Sequence, residues 1–161
     1  MIYRLHGETP NHVRELREPG LVYQPGSLLE VRASQIVDAA YQVHRLLGPG
    51  LLESAYQNAL IIELTDRGMD VRSEVPVPLI YRGREIGTAY RADMIVENSI
   101  VVENKTVERI APIHEAQLLT YLRLTKLHVG FIINWNTKRF RDGIKRMVFD
   151  YEGPKSSNQR G

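Results

Sequence analysis

The stretch RADMIVENSIVVENKTV, residues 91–107, has the residue pattern of a β-hairpin that carries charges within its apolar strands. Its valines and isoleucines are typical of interior strands, whereas Asp93, Glu103 and Lys105 interrupt them. A buried carboxylate or ammonium group is costly unless it is paired or binds a metal ion. The two acids and the lysine therefore need a structural or a chemical explanation.

The register of this hairpin decides whether the two acids meet. Directly opposed residues of an antiparallel pair lie on the same face of the sheet. With a three-residue turn at 97–99, Asp93 lies opposite Glu103, whereas a two-residue turn would place it opposite Asn104 on the other face. Asn98 tolerates the left-handed backbone conformation that a three-residue loop needs, so we predict the first register.

Two facing carboxylates repel each other unless a cation lies between them. Magnesium typically binds one or two carboxylates together with waters and substrate phosphate, and such an ion polarises a phosphoryl oxygen and lowers the pKa of a bound water. Lys105 shares the face of Glu103 and could hold that water or stabilise charge on the phosphate. An ion pair between Lys105 and either acid at the sheet edge would explain the same residues, and the spacing alone does not separate the two interpretations.

The composition excludes several classes of protein. The chain has 161 residues, is 43% hydrophobic and contains no cysteine, which suits one domain with a core and excludes disulfides and thiolate metal sites. It has no apolar run near the roughly 20 residues of a membrane span, and residues 1–20 lack the apolar segment of a secretory signal. We therefore expect a cytoplasmic protein that does not associate with membranes. The net charge of +2 does not by itself indicate nucleic-acid binding, although residues 138–146 hold five basic side chains against one acid.

The order of predicted elements, α-α-β-β-β-α-β-α, indicates one α/β domain at 27–151, with a mixed sheet of about four strands flanked by helices. We expect a poorly ordered arm at 1–26, with a short helix near 12–17, and a flexible tail at 152–161. A capping box at 27–30 predicts where the first long helix begins. The expected helices are 28–47, 51–67, 112–124 and 142–149, and the expected strands are 71–81, 85–96, 100–107 and 128–134.

Asp93 followed ten residues later by Glu103-Asn104-Lys105 resembles the D…ExK core of the PD-(D/E)XK nuclease superfamily, although Ala92 stands where the superfamily name has proline. GLLESAY (50–56) resembles the Gly-x-x-Glu-x-x-Tyr motif of the GxxExxY family within that superfamily. The segments AAYQVHRLLGPGLLESAYQNAL, HEAQLLTYLRLT and GFIINWN are similar to the same family, so the resemblance covers about residues 28–147. It implies a restriction-endonuclease-like core and a metal-dependent deoxyribonuclease.

The resemblance also implies a role for each matching residue. Asp93 and Glu103 would be metal-binding acids, and the backbone carbonyl of Asn104 would complete the coordination. Lys105 would orient or activate the attacking water. Glu53 would be an additional acid that reaches the metal directly or through water. The expected ion is Mg²⁺, with Mn²⁺ as the alternative.

Gln117 and Tyr121 form a Q-x-x-x-Y pattern that is similar to the motif after the lysine in RecB-type members. Four residues apart on a helix, they share a face with His114 one turn earlier. Their amide and hydroxyl groups could hold a substrate phosphate. A helix that buries Tyr121 and pairs Gln117 with backbone would have the same pattern, but the resemblance favours substrate binding.

The remaining candidates carry weaker signals. Lys138, Arg139 and Arg141 could contact backbone phosphates, although such basic runs are usually solvated surface. Trp135 either stacks on unpaired bases or covers the end of the sheet. His44 is predicted to be a partly buried core histidine, and the family resemblance around Val43-His44 leaves a site role as the alternative. The leading hypothesis is a nuclease with nucleic acid, and DNA in particular, as its partner, and a homodimer is compatible with the sequence. The alternatives are a weakly active or inactive nucleic-acid-binding module and a cation-stabilised scaffold for protein partners.

Overall fold

The computed structural model describes residues 27–87 and 90–149. The N-terminal arm and the C-terminal tail expected from the sequence lie outside the described residues. The first helix, α1 (Leu28–Leu47), begins where the capping box predicts, because the Ser27 hydroxyl accepts a hydrogen bond from the Glu30 amide at 3.3 Å. It ends at Gly48, whose φ of +64° is readily adopted by glycine.

The second helix, α2 (Glu53–Asp66), turns Tyr56, Leu60 and Leu64 into the core. The apolar spacing of this helix also predicts that Leu52 and Ala55 face mostly inward, and this prediction is wrong because both are exposed. Leu52 is 77% exposed because it lies outside the helix as its N-cap residue. Both helices pack on the same face of a sheet and bury it, as their small and aliphatic residues form one apolar cluster with the sheet.

The strands of the described residues are, in chain order, β1 (Val71–Val77), β2 (Ile80–Tyr81), β3 (Arg84–Glu85), β4 (Tyr90–Val96), β5 (Ile100–Lys105), β6 (Val129–Asn134) and β7 (Ile144–Val148). Five of them form one sheet in the order β1-β4-β5-β6-β7. Strands β5 and β6 are parallel and the other neighbours are antiparallel, so the sheet is mixed as predicted. Strand β1, which contains Pro76, lies at an edge, where a missing backbone donor is tolerated.

Helix α3 (Pro112–Thr125) begins at the predicted proline and connects β5 to β6. Its Leu118, Tyr121 and Leu122 form a second apolar cluster on the sheet face opposite to α1 and α2. Strand β6 is buried along its whole length, as expected for a central strand covered on both faces. No helix within 27–87 and 90–149 has the length and apolar character of a membrane span.

The predicted last helix at 142–149 is wrong. Only Phe140–Gly143 is helical (α4), and the chain then enters β7, which pairs antiparallel with β6. A fully buried strand needs hydrogen-bonding partners on both sides, and β5 supplies only one of them. This non-local requirement outweighs the local helical spacing, so the sheet has five strands rather than about four.

The predicted strands 71–81 and 85–96 are both shorter than expected. Between them, β2 and β3 form a separate two-stranded hairpin that does not join the main sheet. The residues Arg82-Gly83-Arg84 predict a turn, and the structure has one at Arg82 and Gly83, whose φ values are +48° and +74°, whereas Arg84 already belongs to β3.

Candidate active site

The β4–β5 hairpin has the register that the sequence predicted. Val96 pairs with Ile100, so the turn contains three residues. Glu97 and Asn98 adopt φ values of +54° and +51°, which is the left-handed conformation that such a turn requires. Asp93 therefore lies opposite Glu103, on the sheet face that α3 covers.

Each of the two carboxylates accepts a hydrogen bond from a backbone amide of the opposite strand. Glu103 Oε1 accepts a hydrogen bond from the Asp93 amide at 3.2 Å, and Asp93 Oδ2 accepts one from the Asn104 amide at 2.8 Å. Lys105 Nζ lies 3.4 Å from Glu103 Oε2. The Glu103 side chain is only 2% exposed, so this is a buried group of two acids and one lysine.

The electrostatics of the group favour an added cation. Burial, followed by the charge of Asp93, raises the pKa of Glu103 to about 8, although Lys105 opposes the shift. Burial also raises the pKa of Asp93, against the hydrogen bond from the Asn104 amide and the charge of Lys105. The single positive charge of Lys105 thus does not fully offset the cost of burying two ionised carboxylates. Both acids would ionise more readily beside an added positive ion.

The backbone carbonyl of Asn104 faces the same side. Successive carbonyls of a strand point in opposite directions, and the Lys105 carbonyl points towards β6, where it accepts from the Trp135 amide at 2.9 Å. The Asn104 carbonyl therefore points towards β4 and Asp93. Two carboxylates and one carbonyl are oxygen ligands of the kind that Mg²⁺ and Mn²⁺ bind, so the donor set fits such an ion.

Glu53 is the first residue of α2 and lies near the same group. Burial raises its pKa, the charge of Lys105 lowers it and the charge of Asp93 raises it, which places all three side chains in mutual electrostatic range. Glu53 does not complete a tight acidic cluster, since residues 27–87 and 90–149 contain no group of three acids or histidines able to hold one ion. Its contact with a metal, either direct or through water, stays a prediction.

Tyr56 positions this end of α2. Its hydroxyl donates to the Gly48 carbonyl and accepts from the Leu51 amide at 3.1 Å. Its ring stacks on Trp135 with 5.0 Å between the centroids and 1° between the planes. Its position one turn after Glu53 allows either packing or a hydrogen bond to Glu53, and the structure shows packing.

The α3 residues predicted to bind substrate lie beside the acids. The Tyr121 hydroxyl donates to the Arg91 carbonyl at 2.9 Å and accepts from Gln117 Nε2 at 3.1 Å. Burial raises the pKa of Tyr121, and the acids contribute to the same shift, which shows their proximity. His114 Nδ1 accepts from the Ala111 amide at 3.0 Å. These bonds have structural roles, and substrate binding by the three residues stays a prediction.

The basic run divides into two groups. Lys138, Arg139 and Arg141 are exposed and follow β6, whose carboxyl end is next to that of β5, and phosphate binding by them stays a prediction. Lys145 and Arg146 instead form ion pairs with Glu115 and Glu30, respectively.

Two predictions about aromatic residues are now decided. Trp135 is fully buried and donates from Nε1 to Asn104 Oδ1 at 3.0 Å, so it covers the end of the sheet and does not stack on bases. His44 is buried and its Nε2 bonds the Thr137 carbonyl at 2.8 Å, which confirms a core histidine.

Sequence reasoning missed Asn134, the last residue of β6. Its amide group binds both backbone groups of Val107, accepting at 3.1 Å and donating at 2.9 Å. This bond fixes the chain just after Lys105 and so holds the end of β5 in place. The available signal was a buried polar residue at the end of the apolar run GFIINWN.

Comparison with known proteins agrees with this geometry. The family model described as PD-(D/E)XK nuclease superfamily matches residues 30–147, which contain every candidate site residue. The comparisons with curated proteins and with solved structures find no match. The mixed five-stranded sheet with helices on both faces is consistent with the restriction-endonuclease-like fold expected for such nucleases. The chain belongs to the PD-(D/E)XK nuclease superfamily, which supports a nuclease-type function.

Proposed function

We propose that the chain is a metal-dependent nuclease that hydrolyses phosphodiester bonds in DNA at Asp93, Glu103 and Lys105. The observation that carries the proposal is the meeting of two buried carboxylates from adjacent strands beside one lysine. A group of this kind is unfavourable for folding alone, because burial and mutual repulsion raise the pKa values of both acids. Such perturbed groups are concentrated at functional sites.

Each residue has a distinct part in the proposed reaction. Asp93, Glu103 and the Asn104 carbonyl hold the cation, which is Mg²⁺ or Mn²⁺. When bound, this ion neutralises phosphate charge and makes a water molecule more acidic. Lys105 donates a hydrogen bond to the attacking water or to the phosphate, where negative charge grows in the transition state. Glu53 orients water from the start of α2.

The residues of α3 and the basic run would hold the substrate. Gln117 and Tyr121 offer an amide and a hydroxyl to a phosphate without adding charge. Lys138, Arg139 and Arg141 would contact phosphates further along the strand, and these contacts would weaken as the salt concentration rises. Nucleic acid is the substrate class of the superfamily, and DNA is the substrate that the sequence resemblance implies.

The test is cleavage of linear and circular plasmid DNA with Mg²⁺, with Mn²⁺ and with EDTA. We expect cleavage only with metal, and we expect Lys105→Gln and Asp93→Asn to reduce the rate at least a hundredfold. Lys126→Gln is the matched control, since Lys126 is exposed and follows the end of α3 remote from His114. It should cleave at the wild-type rate.

Three results would overturn the proposal. They are cleavage that persists in EDTA, wild-type activity in Lys105→Gln, and metal-dependent DNA binding without any cleavage. The last result would identify the inactive binding module considered from the sequence. Cutting of circular plasmid would further identify an endonuclease, and degradation of linear DNA alone would identify an enzyme that requires ends.

A further inference from the structure

The β2–β3 hairpin, residues 80–86, exposes apolar and aromatic side chains that have no place in the core. Ile80, Tyr81 and Ile86 are 54%, 59% and 42% exposed, and none belongs to either apolar cluster of the described residues. A two-stranded hairpin outside a larger sheet is marginally stable in water. Exposed apolar groups in such a projection are typical of a binding surface.

The hairpin also carries positive charge next to its aromatic ring. The Arg82 guanidinium lies 5.5 Å from the centroid of the Tyr81 ring, and Arg84 pairs with Tyr81 across the two strands. Within 27–87 and 90–149, neither arginine forms an ion pair. Two arginines beside an exposed ring supply both phosphate contact and a stacking surface.

The hairpin lies at the active-site end of the sheet. It follows Val77, which pairs with Tyr90, and β4 then reaches Asp93 three residues later. At about 3.3 Å per strand residue, Tyr81 lies within about 30 Å of Asp93. Tyr90, the first residue of β4, is also exposed and packs edge-on against Tyr121 with 6.4 Å between the centroids, so it places a second exposed ring at this end of the sheet.

We propose that the β2–β3 hairpin binds unpaired bases in a single-stranded segment of the nucleic-acid substrate. This inference rests on the proposed function for its ligand class. A duplex presents phosphates and base edges but hides the flat base faces inside its stack. Only unpaired bases offer these faces to Tyr81 and the two isoleucines, while the neighbouring phosphates meet Arg82 and Arg84.

The test compares binding of a fluorescent single-stranded oligonucleotide with binding of its duplex, in EDTA so that metal-dependent cleavage is blocked. We expect the wild type to bind the single strand more tightly. Tyr81→Ala should weaken this binding about tenfold, whereas Tyr81→Phe, which keeps a stacking ring, should stay within about twofold of the wild type. Arg84→Ala should weaken binding, and it should reduce the slope of log affinity against log salt concentration by about 1, which corresponds to the loss of one phosphate contact.

Ile62→Ala and Arg123→Ala are the matched controls, because both side chains are exposed on helices and lie outside the hairpin. Wild-type binding by Tyr81→Ala, or equal or tighter binding of duplex by the wild type, would overturn the inference.

Parallel cleavage assays of the wild type separate this inference from the proposed function. Tyr81-dependent binding of single strands without cleavage would support the hairpin site and refute the nuclease. If the wild type cleaves DNA only with metal and Tyr81→Ala binds single strands as tightly as the wild type, the hairpin site is refuted and the proposed nuclease function is supported.

Discussion

Replacing Glu103 by glutamine should stabilise the protein at alkaline pH and abolish its activity. The wild-type pKa is raised from 4.5 to about 8, so between these values the folded state holds a proton that the unfolded state has lost. Stability contributed by this proton is fully present below pH 4.5 and is lost as the pH rises through 8. At 1.36 kcal/mol per pKa unit, the loss is about 3 kcal/mol by pH 7 and about 5 kcal/mol by pH 9.

Glutamine removes this penalty while keeping most of the local structure. Its carbonyl can still accept from the Asp93 amide, as Glu103 Oε1 does at 3.2 Å. The contact of Glu103 with Lys105 is lost, and we expect this to offset part of the gain. The net expectation is a variant about 2 kcal/mol more stable than the wild type at pH 8 without metal, and nearly equal to it at pH 5.

Urea unfolding at pH 5, 7 and 8.5, in EDTA and in 10 mM Mg²⁺, measures this difference. The wild type should lose stability as the pH rises in EDTA. If the proposed metal site is correct, Mg²⁺ should restore part of this stability, because a ligand of the folded state alone stabilises that state. The glutamine variant should show a flatter pH profile and little response to Mg²⁺. A variant less stable than the wild type at pH 8.5 in EDTA would refute the argument that the acid pair is strained.

Two further predictions concern the frame around the site. Gly143→Ala should lower the free energy of unfolding in urea by about 3 kcal/mol, because a Cβ atom there would lie 2.2 Å from the Asn134 carbonyl oxygen. Gly87→Ala is the control. A Cβ atom at Gly87 would have no atom within 4 Å, so this variant should change the free energy of unfolding by less than about 0.5 kcal/mol. Equal stability of the two variants would contradict this packing. Tyr56→Phe should lower the free energy of unfolding by about 1–2 kcal/mol, because it leaves the Gly48 carbonyl without the hydroxyl donor. It should also reduce the rate of DNA cleavage by displacing Glu53. An unchanged cleavage rate would contradict that positioning role.

Local signals in the sequence determine what could be predicted. The register of the β4–β5 hairpin follows from three turn residues, and the start of α1 follows from Ser27 and Glu30, so both were available without tertiary information. The convergence of Asp93 and Glu103 is a direct consequence of that register. The position of Lys105 beside them then follows from strand alternation alone.

Features that depend on distant partners could not be predicted in the same way. The segment Ile144–Val148 becomes a strand because β6 needs a second neighbour, and nothing local to that segment states this need. Trp135 stands three residues before a basic run, which suggests a nucleic-acid contact, but its burial depends on Tyr56, which is far away in the sequence. Asn134 likewise acts on Val107 through a contact across the sheet.

The spacing of the GLLESAY stretch has a physical explanation in this fold. Gly50 adopts φ +108°, which lets the chain reverse between α1 and α2. Three residues later, Glu53 is the first residue of α2, and one turn further Tyr56 returns its hydroxyl to the same connection by binding Gly48 and Leu51. The tyrosine ring meanwhile stacks on Trp135, which binds the Asn104 side chain. One chain of contacts thus joins the start of α2 to the strand that carries Glu103 and Lys105, so the glycine and the tyrosine of this stretch fix the connection from which Glu53 starts the helix.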